Sequence, residues 1–191
     1  MAVIFLASTS LWSAESDARQ ADHPFGERVE VEQLHHARMV INAPSTRQFD
    51  PTRRTQIILY ALPNSNTIEQ TIGCRADAGQ DWHFDIQHIA AQTRLLREIE
   101  PKLNIVVCYL EADGLSWPAW RQKWPASPAL SRQIVQRVLE HAPGTDKRLT
   151  LAAHSGGGSF IWAYLDAGDA IQESVQRIAL LDANYSYSDE R

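Results

Sequence analysis

The sequence predicts an α/β fold built around a mostly parallel, doubly wound sheet. Short apolar runs alternate along the chain with amphipathic stretches at helical spacing, as in successive strand–helix–strand units. The apolar runs are hydrophobic almost throughout rather than at alternate positions, which is typical of strands covered by helices on both faces. Right-handed crossovers between such strands place helices on both sides of one sheet.

The predicted strands are short runs rich in Ile, Val, Leu and Tyr, each bounded by turn residues. Their brevity favours strands over helices, since helices of globular domains are longer. Pro44 stops the first of them because proline cannot donate to a strand ladder. The predicted strands cover residues 37–42, 56–62, 104–110, 148–153 and 177–181.

Three predicted helices lie between these strands. Apolar residues recur at helical spacing, and proline or glycine follows each stretch, as expected beyond a helix end. Asp85 is the expected N-cap of the first helix, and the third helix is expected to end near Gly168. The helical patterns cover residues 86–99, 130–139 and 160–165.

The N-terminal segment is assigned a different role from the rest of the chain. Residues 1–32 are predicted to be a leader and linker, and residues 33–191 an α/β domain. Residues 2–7 are apolar and precede small residues, as in a secretory signal, although the usual basic start is absent. A truncated signal and an apolar strand both stay open, as do a secreted or periplasmic location and a cytoplasmic one. Residues 15–32 are polar and are interpreted as a linker or surface wrap.

Composition narrows the classes of partner. The chain of 191 residues has 18 basic and 23 acidic side chains and a net charge of −5, without a basic stripe. Nucleic acid is therefore not an expected partner. No apolar run approaches the roughly 20 residues of a membrane span. A small molecule or a polymer is the expected substrate, and the oligomeric state is left open.

The two cysteines do not predict a metal site. Cys74 and Cys108 show neither C-x-x-C spacing nor nearby histidine ligands, so no metal is expected. Cys108 lies in an apolar run, where a free thiol acts as a small buried hydrophobe. A disulfide between the two remains the alternative.

The sharpest chemical feature is a serine among small residues, between a predicted strand and a predicted helix. Residues 149–159 read LTLAAHSGGGS, with Ser155 at the centre. Small residues suit a tight strand-to-helix turn, because larger side chains would clash with neighbouring elements. Such a turn lifts the Ser155 hydroxyl above the sheet edge and lets the N–H of Gly156 face a developing oxyanion.

This stretch resembles the nucleophile elbow G-x-S-x-G of the α/β-hydrolase superfamily, with Ala153 replacing the first glycine. A phosphate-binding loop is the alternative, but neither a Gly-Lys-Ser/Thr ending nor G-x-G-x-x-G is present. The resemblance covers residues 54–187 and implies a sheet of the α/β-hydrolase type, incomplete at its C-terminus. It also implies a serine hydrolase, esterase-like or lipase-like, that cleaves an ester or amide through Ser155 without metal or organic cofactor.

The resemblance places a second oxyanion donor in the loop after the strand 56–62. Residues 62–67 read LPNSNT, a polar loop with a turn-forming proline. Asn64 or Ser65 is the expected donor of a backbone N–H. Considered alone, such a loop is more often only a turn.

The expected acid of a catalytic triad is Asp182. It follows a predicted strand and lies 27 residues (182 minus 155) after Ser155, about one strand-helix-strand crossover. Some lipases of the superfamily resemble the chain in placing the acid there. Glu111, Asp113 and a purely structural role for Asp182 are the alternatives.

The general base is harder to place, because a triad needs a histidine beside the serine. The superfamily takes this histidine from beyond the acid, yet all seven histidines precede Asp182. His154 is expected to point away from Ser155, and His83 and His88 border the site or lie on the surface. The chain is therefore expected to be the N-terminal portion of a longer hydrolase. The rival hypothesis is a binding protein of the same fold without a working base.

The tryptophan-rich stretch 116–125 has two interpretations. It either lines or covers the substrate site, as an aromatic wall or lid, or packs on the fold. The sequence does not choose between them.

Overall fold

The computed structural model describes residues 25–168 and 170–183. Within them, six strands form one sheet in the order β1-β2-β4-β3-β5-β6. β2 is antiparallel to its neighbours β1 and β4, whereas β3, β4, β5 and β6 are mutually parallel. The predicted α/β class with a mostly parallel sheet is therefore confirmed. The strands are β1 (Glu27–Leu34), β2 (Ala37–Pro44), β3 (Thr55–Ala61), β4 (Asn104–Ala112), β5 (Lys147–His154) and β6 (Val175–Leu181).

Helices cover both faces of the sheet. One face carries α3, α4 and α5, whose Trp117, Ile134 and Phe160 are buried against strand residues. The opposite face carries α1 and α2, where Ile68 packs with Tyr109 and other strand residues. The helices are α1 (Ile68–Ile72), α2 (Ile89–Ile99), α3 (Trp117–Lys123), α4 (Ser127–His141) and α5 (Gly158–Leu165).

The edge strand β1 is absent from the sequence prediction, and residues 27–32 of the expected linker belong to it. Val29 and Val31 alternate with glutamates, so the valines lie on one face of the strand, yet Val31 is 66% exposed. Glu27 is buried and accepts hydrogen bonds from Arg94 and Arg97 of α2. Burial alone would raise the pKa of Glu27, but these partners lower it overall. The ion pairs therefore fasten β1 to α2.

The start of α2 differs from the expectation at Asp85. The N-cap is His88, and Asp85 instead ends a short 3₁₀ helix, Trp82–Asp85, that precedes it. Asp85 Oδ1 lies within hydrogen-bond distance of His88 Nε2, at 2.8 Å. The helix that the apolar spacing predicted from residue 86 therefore begins at Ile89, after a separate 3₁₀ turn.

The tryptophan-rich stretch forms α3 and faces the core. Trp117 and Trp120 are each 1% exposed and contact Phe160 of α5 edge-on or tilted. Of the two interpretations of this stretch, packing on the fold is the one that holds for Trp117 and Trp120. Aromatic burial of this size is a strong contribution to core stability.

Other expectations concern cysteines, metals and the membrane. Cys74 is exposed and Cys108 buried, both as free thiols, and burial raises the pKa of Cys108. Among the described residues, no group of three His, Cys, Asp or Glu side chains is arranged to hold a metal ion. No helix in the described ranges has the length and apolarity to cross a bilayer. Residues 1–24 of the expected leader and linker, which cover residues 1–32, lie outside the described residues.

Candidate active site

Ser155 is the first residue after β5 and begins a 3₁₀ turn, Ser155–Gly157, that leads into α5. Its φ is 49°, in the left-handed region that side chains other than glycine rarely adopt. Such strain costs about 1–3 kcal/mol and concentrates at functional sites. The Ser155 hydroxyl makes no hydrogen bond to any residue in 25–168 or 170–183, and the side chain is half-buried. The turn therefore presents an uncommitted hydroxyl at the carboxyl edge of the sheet.

The glycines after Ser155 allow the turn to sit tightly between neighbouring strands. A Cβ at Gly157 would lie 2.8 Å from the Leu62 carbonyl oxygen and closer still to that of Ala61, at the end of β3. A Cβ at Gly158 would overlap the carbonyl oxygen of Ala183, beyond β6. Backbone atoms cannot yield cheaply to such overlap. The glycines are therefore required by close approach on both sides of β5.

The Asn64 side chain packs closely against Gly156 in the turn after β5. A Cβ at Gly156 would overlap the Asn64 carboxamide, with its Nδ2 atom 2.5 Å away. The N–H of Gly156 is in the first turn of a helical segment, where N–H groups lack intrahelical partners. The structure thus brings together two of the predicted oxyanion residues, one from the elbow and one from the loop after β3.

Ser65, the other predicted donor, is already engaged. Its backbone N–H donates to the Leu115 carbonyl at 2.8 Å. This N–H is therefore not free to face an oxyanion. The Asn64 N–H has no hydrogen-bond acceptor among the described residues. Of the two candidates, Asn64 is the one the geometry leaves available.

The loop that carries Asn64 is tied to the end of β4 at both ends. The Leu62 N–H donates to the Leu110 carbonyl at 3.0 Å, and the Ile68 N–H donates to Glu111 Oε2 at 2.7 Å. Glu111 also pairs with Arg38 of β2 at 2.8 Å. Hydrogen bonds from Arg38 to Glu69 and Glu111 raise the pKa of Arg38. Glu111, an alternative acid from the sequence, is thus occupied in holding this loop.

The sequence did not predict the ion pair of Arg38 with Glu111, because the two residues lie far apart in the chain. Arg38 and Glu111 are separated by 73 residues and meet only through the pairing of β2 with β4. No local motif marks them. The register of the two strands, in which Arg38 lies opposite Glu111, is the signal that identifies the pair.

Asp182 is the first residue after β6 and is exposed, with a φ of 47°. The register pairs His154 with Leu181, so Ser155 and Asp182 both step off adjacent parallel strands at the same level. They therefore lie at the same sheet edge. No hydrogen bond joins the Asp182 carboxylate to a described residue.

None of the histidines in the described ranges bonds to Ser155 or Asp182. His83 Nδ1 lies 2.5 Å from Asp81 Oδ1, and His88 Nε2 lies 2.8 Å from Asp85 Oδ1. His154 is half-buried at the end of β5, and His23 lies outside the described residues. Among the described residues, no histidine is therefore hydrogen-bonded to Ser155 as a general base would be.

The contact between Gly156 and Asn64 predicts a suppressor pair. Gly156→Ala should impair Ser155 reactivity, because its methyl group displaces the Asn64 carboxamide from the elbow. Asn64→Gly should remove that overlap, so the double variant should regain the melting temperature lost by Gly156→Ala. Thermal unfolding of the four proteins in the cycle measures this coupling.

A coupling energy of at least about 1 kcal/mol is expected, since contacting residues are non-additive by 0.5–3 kcal/mol. Gly157→Ala serves as the matched control, because it overlaps backbone rather than Asn64 and should not be rescued. Strict additivity between Gly156→Ala and Asn64→Gly would contradict the contact.

The chain matches no protein-family profile and no curated protein. Among solved structures it is similar to a fungal esterase from Rhizomucor miehei, with 10% identity and a TM-score of 0.44. It is similar to a thermostable esterase, with 13% identity and a TM-score of 0.44. It is also similar to an aminopeptidase from the marine sediment archaeon Thaumarchaeota archaeon, with 10% identity and a TM-score of 0.45.

These similarities cover 86%, 73% and 86% of this chain, in the same order. The matched region spans 47%, 37% and 27% of the length of the three solved structures. The chain is thus similar to less than half of each.

Proposed function

We propose that this chain is a serine hydrolase that cleaves an ester or amide by acyl transfer through Ser155. The observation that carries the proposal is the left-handed φ of 49° at Ser155, between β5 and α5. A strained serine on a strand-to-helix turn is what exposes the nucleophile in α/β-hydrolases. The paired approach of Gly156 and Asn64 to this turn supports the proposal further.

In the proposed reaction, Ser155 Oγ attacks the carbonyl carbon and loses its proton to a general base. The tetrahedral oxyanion accepts hydrogen bonds from the N–H groups of Gly156 and Asn64. The base then protonates the leaving alcohol or amine, and water releases the acyl group from Ser155 by the same route. Asp182 is assigned the acid that orients the base. No metal or organic cofactor takes part.

A second candidate is a binding protein of the same fold that retains the elbow without turnover. The observation that favours it is the pairing of His83 and His88 with aspartates, which leaves Ser155 without a bonded imidazole among the described residues. A serine hydroxyl without a base stays protonated and is a weak nucleophile at neutral pH. The two candidates share the turn at Ser155 and differ in turnover.

Active-site labelling tests the proposed function. A fluorophosphonate probe is expected to modify the protein, and peptide mass mapping should place the adduct on Ser155. Ser174→Ala is the matched control, since Ser174 is half-buried and its hydroxyl bonds to no described residue; it should label normally. An adduct on another serine, or no adduct, would refute the assignment. The absence of an adduct would favour the binding protein, because a serine without a base is a weak nucleophile.

A further inference from the structure

The tip of the β1–β2 hairpin is a second strained feature at the carboxyl edge of the sheet. Leu34 pairs with Ala37, so His35 and His36 form a two-residue turn with φ values of 52° and 60°. Such turns prefer Asn-Gly or Asp-Gly, because both central residues are left-handed. Two consecutive histidines in this conformation cost free energy that the surroundings must offset.

Three contacts from other elements hold this turn in place. Trp120 Nε1 donates to the His35 carbonyl at 2.9 Å, and the Asp113 N–H donates to the His36 carbonyl at 2.9 Å. The His36 ring stacks on Trp124 with centroids 3.8 Å apart and planes 6° apart. The turn is thus anchored by α3 and by the segment after β4.

A cavity of about 350 Å³ lies between the turn and the end of β4. Gln33, His35 and Asp113 line it, and no hydrogen bond joins their side chains to any described residue. Arg38 at its base is already bound to Glu69 and Glu111. These groups are a carboxamide and an imidazole, which donate and accept hydrogen bonds, and a carboxylate, which accepts them.

We propose that this cavity binds a neutral, hydroxyl-rich molecule of about the size of a sugar. Its volume falls in the range of small-ligand pockets. Vicinal hydroxyls can donate to Asp113 and exchange hydrogen bonds with Gln33 and His35. An anion is disfavoured because the Arg38 charge is neutralised by two carboxylates. Gln33 and Asp113 are exposed, so an apolar ligand would displace water from them without replacing its hydrogen bonds.

If Ser155 is the nucleophile of the proposed function, the cavity also helps to select its substrate. Ser155 does not line the cavity, but the cavity wall at Leu115 accepts the Ser65 N–H of the Asn64 loop. β3 separates β4 from β5, so the ends of β4 and β5 lie roughly 10 Å apart at the usual strand spacing. An ester that occupies both places would hold its polyol in the cavity and carry its carbonyl on a spacer of roughly 10 Å to Ser155.

The binding experiment uses the full chain with Ser155→Ala, so that no turnover occurs. Saturation-transfer NMR with methyl glucoside is expected to give a signal, whereas cyclohexanol and ethylammonium give weaker ones. Adding His35→Asn with Asp113→Asn should abolish the methyl glucoside signal, because asparagine tolerates the left-handed turn but removes the imidazole and the charge. Asp77→Asn, at an exposed aspartate elsewhere, should leave it unchanged.

Equal signals from methyl glucoside and cyclohexanol, stronger binding of ethylammonium, or a methyl glucoside signal unchanged by the cavity substitutions would each overturn the site.

Kinetics then test whether the cavity contributes to the substrate of Ser155. In the chain with native Ser155, the cavity substitutions should raise KM for 6-acetoxyhexyl glucoside, whose spacer spans the separation between the cavity and Ser155, about tenfold and leave hexyl acetate hydrolysis unchanged. An equal effect on both esters would overturn the substrate role. Sugar binding without hydrolysis of either ester would refute the proposed function and leave the binding site standing.

Discussion

Replacing Ser155 by alanine is expected to lower hydrolysis of p-nitrophenyl acetate by roughly 10³-fold or more, as for removal of a nucleophile that acts with a base. The reason is chemical, since Ser155→Ala removes the only hydroxyl at the tip of the β5–α5 turn while keeping the Cβ. The measurement is kcat/KM for the variant beside the unsubstituted chain.

The same substitution should leave the fold unchanged. Ser155 Oγ bonds to no described residue, so its loss breaks no interaction there. An unaltered melting temperature and far-ultraviolet circular dichroism spectrum would separate a catalytic effect from unfolding. Turnover that is equal in Ser155→Ala and the unsubstituted chain would exclude the serine mechanism.

Gly157→Ala is expected to destabilise the protein by at least about 3 kcal/mol, because one methyl group would overlap carbonyl oxygens of β3 and the loop after it. For a chain of this size the expected drop in melting temperature is roughly 6 to 12 °C. The overlapping atoms belong to the backbone at Ala61 and Leu62, so relief requires β3 to move away from the elbow.

Gly168→Ala provides the matched comparison. Gly168 has a φ of 73° but open space around it, so alanine there meets only conformational strain of about 1–2 kcal/mol. The comparison isolates steric overlap from backbone strain. Similar melting temperatures for Gly157→Ala and Gly168→Ala would contradict the close packing of the elbow on β3.

Much of the sheet could be predicted from the chain because its parallel strands are continuously apolar. β3, β4 and β5 correspond to the predicted runs 56–62, 104–110 and 148–153. Continuous apolarity over so few residues is typical of a strand buried on both faces. β1 was not predicted because its glutamates and valines do not form a continuous apolar run, and at this edge of the sheet Val31 is exposed while Glu27 is buried. α3 escaped because seven residues are too few to display helical periodicity.

The sequence by itself determined the elbow and the order of strands and helices around it. Local sterics explain this, because few backbone conformations fit a serine among glycines between an apolar strand and an apolar helix. The tertiary structure alone decided that Asn64 rather than Ser65 faces Gly156, since the Ser65 N–H is taken by Leu115, 50 residues (115 minus 65) later. It also decided that Glu111 braces a loop instead of joining a triad. Hydrogen bonds between distant segments depend on strand order and register, and neither is encoded in any local pattern of residues.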